Sequence, residues 1–248
     1  DTYTLTVTNT SNGCTDEVSV IVDDNSTLVT ADVDIQGQIT CAIGSVTLSA
    51  INIVGSSDPS YLWMPGGQTT PTITVSAAGS VTLTVTDINT GCIGDVIVDV
   101  TSDTAAPTAV AGVSGNLNCT NTSVVLSTAG SSTGGNITAA WIDAGGVTVD
   151  PNNIINSGTY TLTITNTING CDETSDVVVT QDIDSPIAAI LTPTAIDCNN
   201  TSIVLDGSSS TGANLSYTWT PSGTTGATLN AAAAGTYTLT VLNQDNGC

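Results

Sequence analysis

Cysteine is the residue type in this sequence whose number and spacing could do chemistry. The 248-residue chain holds seven cysteines, and the gaps between successive ones are 27, 51, 27, 52, 27 and 50 residues. They lie at Cys14, Cys41, Cys92, Cys119, Cys171, Cys198 and Cys248. Regular spacing in an acidic, β-rich chain favours disulfide bonds and an oxidising compartment. Zinc is the rival interpretation, but histidine and C-x-x-C spacing are both absent, so disulfides are favoured.

Other catalytic chemistry has little to work with in this composition. The chain has 22 acidic side chains and no Lys, Arg or His, so the common general bases and Schiff-base nucleophiles are missing. No G-x-S-x-G, P-loop or H-E-x-x-H motif occurs. We therefore predict that the protein is not an enzyme and needs no cofactor. A glycosidase using a pair of carboxylates is the weakest of three functional hypotheses.

The charge balance also restricts the partners of the chain. With a formal net charge of −22 and no cationic side chain, binding to the phosphates of nucleic acid is not expected. An anionic membrane surface would repel the chain. The sequence also has no apolar run of about 18 residues, so membrane insertion is not expected. Divalent cations are the counter-ions that this composition would attract.

One phrase occurs four times and sets the period of the sequence. "GTYTLTITNTINGC" spans Gly158–Cys171, and close copies span Asp1–Cys14 and Gly235–Cys248, with a fainter copy at Gly79–Cys92. The tryptophans are 78 residues apart, at Trp63, Trp141 and Trp219. A fixed period of this kind indicates a tandem array.

The repeated phrase predicts a β-hairpin. Tyr160, Leu162 and Ile164 alternate with threonines, which is the period of a half-buried strand, and Asn-Gly supplies a tight turn. Thr122–Gly130 predicts a further strand of the same unit. Short strands, turn residues and no helical periodicity predict an all-β fold built of β-sandwiches. The core of each sandwich is predicted to contain Trp63, Trp141, Trp219, Tyr160 and Tyr237.

The period divides the chain into four parts. We predict the C-terminal hairpin of a partial module at 1–24, complete modules at 25–105 and 106–183, and a module lacking its last strand at 184–248. A hairpin alone is marginal in water, so we expect a window from a longer array. The alternative is strand exchange between chains, in which one copy's hairpin completes another's last module.

The pattern "C…SVVL…W…GTYTLTITNTINGC" resembles the immunoglobulin-like and PKD-like tandem repeats of very large Bacteroidota surface proteins, including SprB-type gliding adhesins. The resemblance covers all 248 residues. It implies modules of about 78 residues, and an exported, cell-surface, filament-like protein without catalytic residues. The chain departs from the pattern in lacking Lys and Arg, and in having Val81 where other copies have Tyr3, Tyr160 and Tyr237.

Two cysteine pairings are compatible with this architecture. Pairing within a module would join 41–92, 119–171 and 198–248. In an immunoglobulin-like sandwich, however, Cys119 and Cys171 fall at opposite ends of strands of about 8 residues, roughly 25 Å apart, whereas a disulfide needs Cα atoms within about 7 Å. Stacked modules instead bring Cys41 to Cys171 and Cys119 to Cys248. We favour this second pairing and keep the first as the alternative.

Two further site predictions concern the regions between modules. Stacking would bring Asp103 towards Asp172 and Glu173, and an oxygen-rich cluster of this kind suits Ca²⁺. "DTA" at Asp103–Ala105 resembles the O-glycosylation signal of the same bacteria, which would place a sugar on Thr104.

The leading functional hypothesis is a structural repeat segment of an extracellular filament or adhesin stalk. Its partners would be other repeats of the same chain and identical chains in the filament. The alternative is a cell-surface module that binds a glycan or a protein. That hypothesis needs an exposed aromatic or charged patch that differs between copies, and the sequence shows none.

Overall fold

The fold was analysed in a computed structural model, which describes residues 1–24 and 26–248. Within them there are strands and turns and no helix, which confirms the all-β prediction. None of the described residues forms a helix long and apolar enough to cross a membrane. The first ten strands are β1 (Thr2–Thr8), β2 (Thr15–Ile21), β3 (Thr30–Ile35), β4 (Ile39–Thr40), β5 (Val46–Val54), β6 (Pro59–Met64), β7 (Thr72–Val75), β8 (Gly79–Asp87), β9 (Ile93–Val100) and β10 (Ser102–Asp103). The others are β11 (Gly112–Val113), β12 (Leu117–Asn118), β13 (Leu126–Ser127), β14 (Ile137–Asp143), β15 (Gly158–Asn166), β16 (Asp172–Val179), β17 (Gln181–Asp182), β18 (Ile203–Asp206), β19 (Leu215–Thr220), β20 (Thr224–Thr225), β21 (Thr228–Ala231) and β22 (Thr238–Asn243).

The chain forms two compact units. The first contains Asp1–Ala105 together with Asn169–Cys171, and the second contains Ala106–Ile168 together with Asp172–Cys248. The division into modules starting at 25, 106 and 184 stays a prediction, and its boundary at Asn25 lies outside the described residues.

Three hydrophobic clusters form the cores, one from each of the three larger predicted modules. The first cluster lies between two three-stranded sheets, β3-β5-β7 and β6-β8-β9. Alternate residues of β8, namely Val81, Leu83 and Val85, point into it, as expected for a strand buried on one face. The strands β14-β15-β16 and β20-β19-β22 form the corresponding sheets around the other two clusters.

The tryptophans lie in these cores. Trp63 and Trp219 are completely buried and Trp141 is 4% exposed. Because a buried indole needs a partner for its N–H group, each of the first two donates to a backbone carbonyl seven residues further on, Trp63 to Thr70 (2.9 Å) and Trp219 to Gly226 (3.0 Å).

The tyrosines of the repeated phrase lie at the edge of the same cores. Tyr160 is buried and Tyr237 is partly buried. The hydroxyl of Tyr160 donates to the carbonyl of Asn156 (2.9 Å), and that of Tyr237 donates to Ala233 (3.0 Å), four residues upstream in both cases. Burial raises the pKa of the Tyr160 phenol, and the nearby Asp143 carboxylate adds to the effect.

One predicted strand is much shorter in the structure. Of the stretch Thr122–Gly130, only Leu126–Ser127 forms a strand, and Val124 makes an isolated bridge to Ile154. The apolar pattern places Val124 and Leu126 in the core, but a strand also requires a continuous backbone partner.

Two disulfide junctions as the candidate functional site

Each junction starts from a short parallel ladder within one repeat. Ile39–Thr40 pairs in parallel with Ser102–Asp103, and Leu117–Asn118 pairs in the same way with Gln181–Asp182. The first strand of each pair leads directly into a cysteine loop, and the second leads into the chain segment that follows the last strand, which we call the linker. The ladder therefore holds a cysteine beside an aspartate that is about 62 residues away in sequence.

Disulfides join these loops to hairpin tips that lie much later in the chain. Cys41 is bonded to Cys171 and Cys119 to Cys248, each with a Cα–Cα distance of 5.0 Å. These are the pairs that stacking predicts, separated by 130 and 129 residues. The within-module pairs 41–92, 119–171 and 198–248 are not formed. Among the described residues the free cysteines are Cys14, Cys92 and Cys198.

An asparagine two residues before the cysteine anchors the first hairpin tip. Asn169 is completely buried. Its side-chain amide donates to the Asp103 carboxylate (2.9 Å) and to the carbonyl of Ala105 (3.0 Å) in the linker. Its side-chain oxygen accepts the backbone N–H of Cys171 (3.0 Å). The side chain thus shapes the turn that carries the cysteine and also binds the surface on which that turn docks.

Asn246 repeats this arrangement at the second tip. It is 2% exposed, and its amide donates to the Asp182 carboxylate (2.8 Å) and the carbonyl of Asp184 (3.0 Å). Its oxygen accepts the N–H of Cys248 (3.0 Å). A buried amide with both donors and its acceptor in use stabilises one arrangement, because leaving any of these groups unpaired is costly.

The backbone and the glycine complete the contact. The tip carbonyl of Asn169 accepts the N–H of Ala42 (3.2 Å). Gly170 has φ +68°, and a Cβ atom there would lie 2.5 Å from the Cβ of Ala42. At the second tip, a Cβ on Gly247 would lie 2.4 Å from a methyl carbon of Thr120. Glycine is therefore needed at both tips for its positive φ and for the close approach.

The tip at Cys14 adopts the same local turn, although it is fully exposed. The side-chain oxygen of Asn12 accepts the N–H of Cys14 (3.0 Å), and Gly13 has φ +74°. The loop at Cys198 likewise closes on itself, with the Asp197 carboxylate accepting the N–H of Asn200 (2.7 Å). Tip and loop therefore take their shapes from local hydrogen bonds and not from docking.

The hairpin at Cys92 differs from the other three. Thr90 stands in place of the tip asparagine, and its hydroxyl accepts the N–H of Cys92 (3.3 Å). At the base of the turn, buried Asp87 replaces the asparagine found in the other copies. Its carboxylate accepts the backbone N–H groups of Thr90 and Ser57, both at 2.8 Å. These bonds, that of Thr90 first, hold the pKa of Asp87 well below its usual value.

The calcium set predicted from the sequence is not brought together. In the part of the chain that the structure describes, no group of three or more His, Cys, Asp or Glu side chains could hold a metal ion. Asp103 accepts the amide of Asn169 instead, whereas Asp172 and Glu173 are exposed on β16. Thr104 is exposed as well, and its glycosylation stays a prediction.

Sequence reasoning missed the asparagines. The available signal was Asn two residues before the cysteine in three of the four copies, Asn12, Asn169 and Asn246. That asparagine was interpreted only as part of the hairpin turn, because its amide partners lie 66 and 64 residues away in sequence.

Comparison with known proteins finds no matching family model and no matching curated protein. Similar solved structures include three N-terminal domains of the outer capsid protein Hoc of bacteriophage RB49, at 14% identity and a TM-score of 0.32, covering 89% of this chain and 84% of that one. Sidekick-1 immunoglobulin domains 1–5 match at 15% identity and a TM-score of 0.28, covering 100% and 64%. The four N-terminal immunoglobulin domains of Dscam1 match at 13% and 0.22, covering 88% and 70%. At such values the likeness concerns the class of fold and not function.

Proposed function

We propose that this chain is a structural repeat segment of an extracellular filament or adhesin stalk, stiffened by disulfides between neighbouring modules. The observation that carries the proposal is the repeated junction, in which the same disulfide, asparagine and glycine arrangement occurs at Cys41–Cys171 and at Cys119–Cys248. A built junction that recurs at the sequence period suits a polymer of modules.

The pairing has a mechanical consequence. The loops closed by the two disulfides overlap, because Cys119 lies inside the first loop and Cys171 inside the second. Closing a loop of about 130 residues stabilises the folded state by up to about 5 kcal/mol in the chain-entropy model. Overlapping loops also prevent one repeat from being pulled away from the next without breaking a covalent bond.

The composition supports the same role. A chain without Lys or Arg offers no cleavage site to trypsin-like proteases. Disulfides are characteristic of oxidising, extracellular surroundings. The alternative, a module that binds glycans or proteins, would use exposed aromatic side chains, but Trp63, Trp141 and Trp219 are all buried. The proposed partners are accordingly other repeats of the same chain and identical chains.

Small-angle scattering of the oxidised chain tests the proposed role. If three complete or nearly complete modules follow one another at about 35–40 Å each, the largest dimension should be roughly 100 Å or more. A compact particle of much smaller dimension would contradict a stalk. Antibody labelling of intact cells of the source organism tests the location, and labelling only after permeabilisation would contradict a surface filament.

A further inference from the structure

We propose that Asn169 and Asn246 are positioning residues that recognise the junction before its disulfide forms, and so select which cysteines become bonded. Docking of the tip asparagine on the linker would come first, and oxidation would follow. The proposal concerns how the junction is made, and it stands whether or not the chain belongs to a stalk.

The first argument is that both halves of the junction are preformed. The Cys14 tip has the same turn, the same asparagine acceptor bond and the same positive φ as the tips that are bonded. The Cys198 loop is closed by its own backbone and side-chain hydrogen bonds. Because neither half needs a disulfide to take its shape, docking costs little conformational entropy.

The second argument is that the asparagine makes contacts that a turn does not require. The acceptor bond from Asn169 to Cys171 already forms the turn, and Thr90 makes the equivalent bond in the Cys92 hairpin. The two amide donors serve only the linker, where they meet the carboxylate of Asp103 and the carbonyl of Ala105. Hydrogen bonds to a charged acceptor are the stronger kind, and here they lie in a buried site.

The third argument is that the cysteines need selection. Seven cysteines are available, and the within-module partner Cys119 lies only 52 residues from Cys171, whereas Cys41 lies 130 residues away. Loop-closure entropy favours the shorter loop. Docking of Asn169 on the linker beside Cys41 opposes that preference by raising the local concentration of the more distant thiol.

The step can be followed with glutathione disulfide as the oxidant. The thiols of Cys41 and Cys171 lose two electrons and two protons as their S–S bond forms, and the S–S bond of glutathione disulfide breaks to give two glutathione thiols. The reduced, unfolded chain is refolded in a glutathione redox buffer, quenched by alkylation, and mapped by peptide mass spectrometry after non-tryptic cleavage.

Asn169→Asp separates the two uses of the side chain. Aspartate keeps the acceptor for the Cys171 N–H but replaces the amide donors by a carboxylate facing Asp103. We expect the equilibrium constant for the Cys41–Cys171 bond to fall about tenfold or more, equivalent to about 30 mV for a two-electron couple. The bond between Cys119 and Cys248 should not change and serves as the internal control.

Two further variants make the result specific. Asn166→Asp is the matched control, because it introduces the same change in the same hairpin at a position where the Cys92 hairpin already has aspartate. It should leave both bonds unchanged. Asp103→Asn combined with Asn169→Asp restores a donor and an acceptor with exchanged positions, and should recover part of the lost pairing.

Unchanged pairing in Asn169→Asp would overturn the proposal, and so would an equal loss in Asn169→Asp and Asn166→Asp, which would indicate a weakened hairpin. Hydrogen exchange supplies a second measurement that does not need the bond. In the reduced chain, the Ala42 N–H, which donates to Asn169, should be protected in the wild type and exchange faster in Asn169→Asp. Equal exchange in the two reduced chains would show that docking does not precede the disulfide.

Discussion

The overlap of the two disulfide loops limits how far the chain can be stretched. The shortest covalent route from Asp1 to Cys248 runs about 40 residues to Cys41, crosses to Cys171, runs about 52 residues back to Cys119 and crosses again. At about 3.4 Å per extended residue, the oxidised chain cannot be pulled beyond about 310 Å. The fully reduced chain should reach about 840 Å.

Removing one disulfide should release little length. In Cys41→Ser the route runs about 118 residues directly to Cys119 and then crosses to Cys248, so the limit rises only to about 400 Å. Removing Cys119 as well should add about 440 Å more. Such unequal gains follow from overlapping loops, because each bond shortens most of the segment that the other also shortens.

Optical tweezers with handles attached through terminal peptide tags measure these lengths, after the free thiols of the folded protein have been alkylated. The reduced wild type calibrates the full contour. Within-module pairing would leave Cys119–Cys171 and Cys198–Cys248 intact in Cys41→Ser, and the limit would then be about 490 Å. A value near 490 Å instead of 400 Å would refute the pairing on which the junctions depend.

Three substitutions test other parts of the fold. Gly170→Ala should destabilise the protein to denaturant by about 1–3 kcal/mol more than Gly91→Ala, because both positions have positive φ but only Gly170 faces a close neighbour; equal losses would contradict the close approach. Asp87 has a lowered pKa in the folded state, so its contribution is present above its unfolded pKa of about 3.9 and is lost as the pH falls below it; the melting temperature of Asp87→Asn should fall less than that of the wild type between about pH 5 and pH 2. Tyr160→Phe should cost about 1 kcal/mol in urea unfolding by removing the hydroxyl bond to the carbonyl four residues upstream, and a neutral effect would show that this bond adds nothing.

The sequence by itself determined the features that depend on local pattern. Alternation of apolar residues with threonine fixes which face of β15 is buried, and Asn-Gly fixes where the hairpin turns. The spacing of the cysteines and the directions of the strands led to the pairs 41–171 and 119–248, which are the pairs in the structure. These inferences need only strand length, strand direction and the reach of a disulfide.

Other features were beyond local pattern. The stretch Thr122–Gly130 is apolar enough for a strand, yet most of it lacks a ladder partner. Asp103 was placed in a calcium cluster because aspartate is an oxygen ligand, but it accepts a buried amide from the next repeat. In both cases the outcome depends on which backbone or side chain lies opposite, and a sequence pattern does not supply that.

The asparagine of the tip shows the division most clearly. Its oxygen bonds a backbone N–H two residues away, and sequence is sufficient to predict such a turn. Its amide bonds groups 66 and 64 residues away, which meet it only after the parallel ladder has placed the linker beside the cysteine loop. Local hydrogen bonds are decided by neighbours along the chain, whereas the docking bonds of Asn169 are decided by the fold that brings distant segments together.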